Sequence, residues 1–394
     1  MNAPTQNDAR SPRLTTSPSP DYDLDRAVKD ISEEDETAYL DLVSTSLLPE
    51  QTDRILNPER TFPKQKEVLA IHWHPEWIPL NLIEKRLQAV FPHQDKALII
   101  PTQHNAALTL GEYAGVEMDC FAAGFNRKVQ LLLHFKAEKM ARADVLRSML
   151  EHTFKYRSRQ LFEFMDSIIN QEHLDRLTLA AAQTGANAEV TALTRFYTAR
   201  LRRLIMDHEA VTPPEMIKNK LVPEWLQAQR RNHSEMIINR ALLLVQAVKE
   251  IVKRQYSLDY FFQVTEVIEE ARGLGGGVVI PHPEQFWPIL LADYDVDGWE
   301  VWNPQSQEYT EFLIHALNHQ NKLIRSGRRH LLVFMGDDTH MSVKIRNPSY
   351  QEPAKLVREV GFQPAWDDPR IRKSLSLVRT GRAKVIDQYK ERLG

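Results

Sequence analysis

Five short stretches of the chain carry side chains that bind divalent cations: His72-Trp73-His74, His104, Glu117, His282 and Asp338-Thr339-His340. Imidazole suits zinc and iron, carboxylate suits manganese, and a mixture of the two points to metal-dependent chemistry. Spacing adds to residue type. Side chains alternate along a strand, so His72 and His74 point the same way, as do Asp338 and His340, and each pair can share one ion. A single His-x-His carries little weight. Its repetition as Asp-x-His carries more.

These residues need elements that position them, and the flanking sequence supplies apolar runs. Glu67 to Ile71 is short, apolar and rich in β-branched residues, which predicts a buried strand running into His72. His330 to Met335 predicts a second strand, with Gly336-Asp337-Asp338-Thr339-His340 where it should end. Gly275 to Ile280 predicts a third, running into Pro281-His282-Pro283. Leu80 to Phe91 follows the first strand with its apolar positions on one helical side. Three strand ends bearing ligand chemistry suit a barrel of alternating strands and helices, which gathers its active site on that face.

At these residues the chain resembles the polymerase and histidinol phosphatase (PHP) superfamily of metal-dependent phosphoesterases. The His72-Trp73-His74 stretch is similar to the family's first motif, and Ile100-Pro101-Thr102-Gln103-His104-Asn105 resembles its second, where Thr-Asp-His-Asp is usual. Gly115-Val116-Glu117-Met118 resembles the stretch that holds a bridging glutamate. The Gly-rich strand into His282-Pro283, then Asp297 to Asn303, and the closing Gly-x-Asp-x-His are similar to later motifs in the same order. The resemblance spans about residues 64–130 and 273–342.

The resemblance implies an α/β fold, a distorted (β/α)7-type barrel with a large all-helical insertion. It also implies one or two divalent ions, manganese, zinc or iron, held by His72, His74, His104, Glu117, His282, Asp338 and His340. Glu117 would bridge, and Glu117, His282 and Asp338 would be the catalytic members. Such ions make hydroxide available near neutral pH, so the implied reaction is hydrolysis of a phosphate ester. The substrate would be a phosphorylated small molecule, a nucleotide or the end of an oligonucleotide, and nothing identifies substrate-binding residues.

Departures from the pattern accompany the matches. Glu76 stands too early to replace the aspartate that usually follows the His-x-His, and Gln103 replaces an aspartate of the second motif. Gln130 stands where another histidine is usual, with His134 further along the run Val129 to Phe135. His134 has two readings, a substitute ligand or a core histidine. Asp337 reads as a neighbour pointing away. Two alternatives compete with the phosphoesterase: a barrel-type amidohydrolase, which usually adds a bridging lysine and lacks the closing Asp-x-His, and a degraded PHP scaffold that binds a partner.

The rest of the chain bounds the answer. With 394 residues, 42% of them hydrophobic, it can fill a sizeable core and an insertion. A net charge of -3 gives no global nucleic-acid signature, and no apolar run is long enough to cross a bilayer. The one cysteine, Cys120, allows no internal disulfide, which fits a cytoplasmic protein. Residues 1–20 are rich in Pro, Ser, Thr and Asn and read as a disordered tail. Residues 21–62 read as an acidic, partly helical segment, 63–135 and 266–345 as the two parts of the barrel, 136–265 as the insertion, and 346–394 as a basic extension.

Within the insertion, helical periodicity predicts helices over Ala143–Asn170, Leu174–Gln183, Ala188–His208, Pro213–Ala228 and Ser234–Arg254. Its basic residues, Arg200, Arg202, Arg203 and Arg231 among them, and the rings of Phe196 and Tyr197 could serve a phosphate-rich ligand, but interspersed acids favour a solvated helix surface.

Overall fold

The computed structural model describes residues 22–324, 329–345 and 353–394. The expected disordered tail over residues 1–20 and the start of the basic extension lie outside the described residues. The strands are β1 (Glu67–Ala70), β2 (Trp73–His74), β3 (Lys96–Ile99), β4 (Leu108–Leu110), β5 (Tyr113–Ala122), β6 (Arg127–Lys136), β7 (Gly277–Ile280), β8 (Gly298–Trp302), β9 (Leu332–Met335) and β10 (Thr339–His340). The α-helices are α1 (Leu24–Lys29), α2 (Glu33–Val43), α3 (Pro49–Leu56), α4 (Leu80–Val90), α5 (Asp144–Ile169), α6 (Leu174–Thr184), α7 (Ala188–Asp207), α8 (Leu221–Ala228), α9 (Glu235–Gln255), α10 (Val264–Gly273), α11 (Thr310–Leu323), α12 (Pro353–Leu356), α13 (Pro369–Leu377) and α14 (Arg382–Leu393). The chain divides into two compact units, residues 45–156 with 257–394, and residues 1–44 with 157–256.

The first unit carries the strands. Its six-stranded sheet has the order β4-β5-β6-β7-β8-β9, antiparallel from β4 to β7 and parallel from β7 to β9. Two parallel pairs stand apart from it, β1 with β3 and β2 with β10. Among the described residues the strands thus form three separate sheets instead of the expected closed (β/α)7-type barrel. The α/β class holds, but local apolar runs encode that a segment is a strand without encoding which edge it pairs with. β1 is apolar at consecutive positions because both its faces are covered. Val68 and Ala70 pack with Ile83, Leu87 and Phe91, while Leu69 and Ile71 join Leu98, Ile100 and Leu131 in the larger core.

Pairing of β2 with β10 sets Trp73 opposite Thr339 and His74 opposite His340. This short parallel ladder brings the two ligand-bearing motifs together. α14 fills the core with Val385, Ile386, Tyr389 and Leu393, all buried. In the C-terminal segment, Arg392 pairs with Asp297 and Arg370 with Glu311, so these cations serve structure and surface.

The second unit is helical. Ser32 and Asp35 form a capping box at the start of α2, which explains the acidic run Glu33 to Glu36: carboxylates are favoured in a helix's first turn. Asp35 is buried and pairs with Arg200 and Arg231, while Arg203 pairs with Asp207 and Arg202 with Asp166. Phe196 and Tyr197 are buried. These cations are ion-paired and these rings are packed. The helix expected over Pro213–Ala228 is broken: a 3₁₀ turn covers Pro214–Met216, and α8 starts only at Leu221. Pro223 explains the break, since it suits the first turn of a helix but would clash deep inside one.

Candidate metal centre

His72 lies between β1 and β2 and is fully buried. Its Nδ1 is 2.6 Å from Glu300 Oε1 of β8, which fixes the ring and leaves Nε2 without a hydrogen-bond partner. Glu300 Oε2 accepts from the His282 backbone N–H at 2.9 Å. One carboxylate therefore orients two of the expected ligands. A Cβ at Gly336 would overlap the Glu300 carboxylate, so only glycine fits there.

Glu117, in the middle of β5, is buried, and both of its oxygens face imidazole nitrogens. Oε1 stands 3.4 Å from His282 Nε2 and 3.7 Å from His72 Nε2; Oε2 stands 3.7 Å from His74 Nε2 and in close ion-pair contact with His104 Nδ1. Asp338 Oδ1 is 3.4 Å from His74 Nε2, 3.6 Å from His340 Nε2 and 3.7 Å from His72 Nε2. His74 is fully buried, and both of its ring nitrogens lack hydrogen-bond partners. The ligand atoms fall into three groups, each with all its atoms within 4.8 Å of one another: His74 with His104 and His340, His72 with Glu117 and His282, and His72 with His74 and Asp338. All seven expected ligands thus converge.

The backbone is held in unusual conformations around this cluster. Glu76, Asn105, His282 and Asp338 have φ of 54°, 51°, 27° and 46°. Such conformations cost energy in non-glycine residues and persist only where surrounding structure enforces them. At Asp338 the enforcement is visible. Its N–H donates to His72 O at 2.9 Å, Gln305 Nε2 donates to its Oδ2 at 2.7 Å, and Arg358 Nη1 donates to its carbonyl at 2.9 Å and to Oδ2 at 3.1 Å.

The electrostatics are those of a centre that wants positive charge. Burial opposes a proton on His72, but Glu300 above all, with Glu117 and Asp338, overcomes it and raises the pKa to about 10. Burial, with the neighbouring His104 and His340, pushes His74 down to about 3 and leaves it neutral, the form that ligates. Burial would raise Glu117, yet the surrounding imidazoles led by His104 hold it well below the usual carboxylate range. Buried donors and acceptors without partners are costly, and here they point inward at one another. A cation among them would meet imidazole nitrogens and carboxylate oxygens that already face one another, so the residues fit a divalent ion.

His134 is not part of this centre. Its Nε2 is 3.0 Å from Ile71 O and its Nδ1 is 2.7 Å from the Tyr389 hydroxyl, so both ring nitrogens are engaged, and the substitute-ligand reading is corrected to a core histidine. Gln130 pairs in register with Asp119, and Leu132 stands opposite Glu117. Asp337 points away, accepting from Thr339 N, Gly361 N and Gln363 Nε2, and burial raises its pKa to about 7. Gln103 Oε1 accepts from the Glu76 N–H at 3.0 Å, which gives the amide a structural task.

Four contributors escaped the sequence reading. Glu300 could have been found as the one charged residue inside the apolar run Gly298-Trp299-Glu300-Val301-Trp302. Glu76, dismissed by its spacing, places Oε1 3.5 Å from His340 Nδ1 and accepts from Ser342 N through Oε2. Gln305 and Arg358 come from segments with no periodic signal.

No family profile matches the chain, and no curated protein matches it. Among solved structures it is similar to a protein from Bifidobacterium adolescentis assigned as a metal-dependent phosphoesterase. The identity is 16%, the match covers 80% of this chain and 96% of that one, and the TM-score is 0.40. A likeness at that level carries no argument about activity, which rests on the side chains above. Among the described residues no helix is long and apolar enough to cross a membrane.

Proposed function

We propose that this chain is a metal-dependent phosphoester hydrolase of the PHP kind, acting through one or two divalent ions. The observation that carries the reading is the convergence of buried ligand atoms, His72 Nε2, His74 Nε2 and the Glu117 carboxylate, with both imidazole nitrogens lacking hydrogen-bond partners. Ions held there would supply a nucleophile from water near neutral pH and positive charge for the phosphoryl oxygens. His72, Glu117 and His282 would hold one position, and His74, His104 and His340 another, with Asp338 between them.

The chain's own residues then have distinct tasks. Glu300 keeps the His72 ring oriented through Nδ1, so that Nε2 stays directed at the centre. Gln305 and Arg358 bind Asp338 Oδ2, leaving Oδ1 for the cluster. Glu76 orients His340 from behind. Phosphate chemistry is favoured over the amidohydrolase alternative by the Asp338-Thr339-His340 arrangement, in which both side chains take part. Lys344, buried nearby in sequence, is occupied with the carbonyls of Leu356 and Arg358.

Elemental analysis of protein purified without chelator tests the reading. At least about one divalent ion per chain is expected, lost in His74→Ala, together with hydrolysis of phosphomonoesters restored by added manganese, zinc or iron. Protein that folds, holds no ion and shows no difference from His74→Ala would overturn it.

A further inference from the structure

We infer that the exposed rings of Trp287, Tyr309 and Phe312 form a stacking platform beside the metal centre for the planar ring of the substrate's organic group, a nucleobase. This deepens the phosphoester hydrolase reading and rests on it for the word substrate, although the platform itself can be tested without hydrolysis.

Topology places the rings. β7, β8 and β9 run parallel, so their C-terminal ends share one edge of the sheet. His282 follows β7, Gln305 follows β8 and Asp338 follows β9, and these crossings build the centre at that edge. Trp287 lies on the same crossing as His282, immediately after Phe286, whose ring packs edge-on against His282 at 5.6 Å. Tyr309 and Phe312 sit at the start of α11, which leaves the same edge, and Tyr309 follows Gln305 closely in the chain. The platform and the Asp338 ligand system are therefore carried by shared loops.

The rings are ordered relative to one another yet open. Trp287 meets Tyr309 with centroids 5.1 Å apart at 87°, and Phe312 at 5.7 Å and 78°, both edge-to-face. Trp287 is 37% exposed, Tyr309 39% and Phe312 58%, with Leu291 at 90% beside the same loop in sequence. Contiguous exposed apolar surface marks a binding face more often than chance. Stacking on aromatic rings tolerates any base, because every base has a flat face.

Two measurements on the full chain test this. The first is calorimetric binding of adenosine, which has no phosphate; the second is steady-state hydrolysis of adenosine monophosphate and of glycerol phosphate by metal-loaded enzyme. Wild type should bind adenosine, and Trp287→Ala should weaken binding and raise KM for adenosine monophosphate by about tenfold or more. Its kcat and its KM for glycerol phosphate should stay within about twofold, and Trp287→Phe should restore most of the loss. Phe312→Ala should act in the same direction. Trp287-dependent adenosine binding in a chain that hydrolyses neither ester would sink the hydrolase reading and leave the platform standing. Hydrolysis of both esters with KM values untouched by Trp287→Ala, or no adenosine binding by wild type, overturns the platform. So does a dimer converted to monomer by Trp287→Ala in sedimentation with adenosine binding unchanged, since the rings would then be a contact between copies.

Discussion

Two clusters of charged side chains are buried in the same unit, and they are finished to different degrees. In one, Arg86 forks onto Glu359 with N–H to O distances of 2.8 and 2.7 Å and spends Nη1 on the carbonyls of Arg54 and Ile55. Lys344 stands 3.6 Å from Glu359 Oε2 and donates to the carbonyls of Leu356 and Arg358. In the other, around Glu117, imidazole nitrogens and carboxylate oxygens face one another, and His72 Nε2 and both nitrogens of His74 lack hydrogen-bond partners. The first cluster is complete with protein atoms alone, whereas the second leaves buried imidazole nitrogens that a cation would satisfy. Histidines repeat the contrast: His134 has both nitrogens engaged, and His74 has neither.

The contrast can be broken by removing one group from each side. Arg86→Ala leaves Glu359 buried and uncompensated, so a loss of about 3–5 kcal/mol is expected, read as a lower urea midpoint that divalent ions do not restore. Chelation should leave the first cluster untouched and act on the second. At ion concentrations about a hundredfold above Kd, its removal should cost about 2.7 kcal/mol and lower Tm by about 5–10 °C, an effect absent in Glu117→Gln. A smaller change is expected for Glu300→Gln, which keeps shape but weakens the hold on His72: ion affinity should fall about 10- to 100-fold. His134→Gln should lower stability while leaving ion content unchanged.

Acid sharpens the same comparison. Burial alone would raise the Glu359 pKa, but Arg86 and then Lys344 hold it below the usual carboxylate value. A carboxyl depressed in the folded state contributes stability above its unfolded pKa and loses it as pH falls through the folded value. Unfolding free energy should therefore decline below about pH 4.5, and Glu359→Gln should flatten that decline. An unchanged acid slope in the variant would show that the pair is not coupled to folding.

Two-residue spacing made His72, His74, Asp338 and His340 legible, although His72 and Asp338 lie just outside β2 and β10 and Asp338 has φ of 46°, so tertiary contacts and not alternation alone bring the pairs together. Glu117 and His104 needed the family resemblance, since nothing local distinguishes Glu117 from any glutamate in a strand. His134 was undecidable from sequence: its fate turns on the Tyr389 hydroxyl and the Ile71 carbonyl, neither of them a local neighbour. The strands β1, β7 and β9 were readable and their pairing was not, and the closed barrel came with the family resemblance. Residues 21–62 read as an acidic, partly helical segment, and α1 and α2 lie within it. The buried Asp35 of α2 pairs with Arg200 and Arg231, partners that only long-range folding supplies.

The ladder between β2 and β10 also sets a timetable. During synthesis at about 5–20 residues per second, His74 leaves the ribosome on the order of tens of seconds before His340. Until then β2 has no strand to pair with, Asp338 has not reached His72 O, and Glu300 is also missing from His72 for most of the interval. The nascent chain therefore passes through a long period in which two histidines are present without the carboxylates that orient them. The His74, His104 and His340 group is completed only by the last of these residues, so an ion held there would be captured as a closing event of folding instead of its seed.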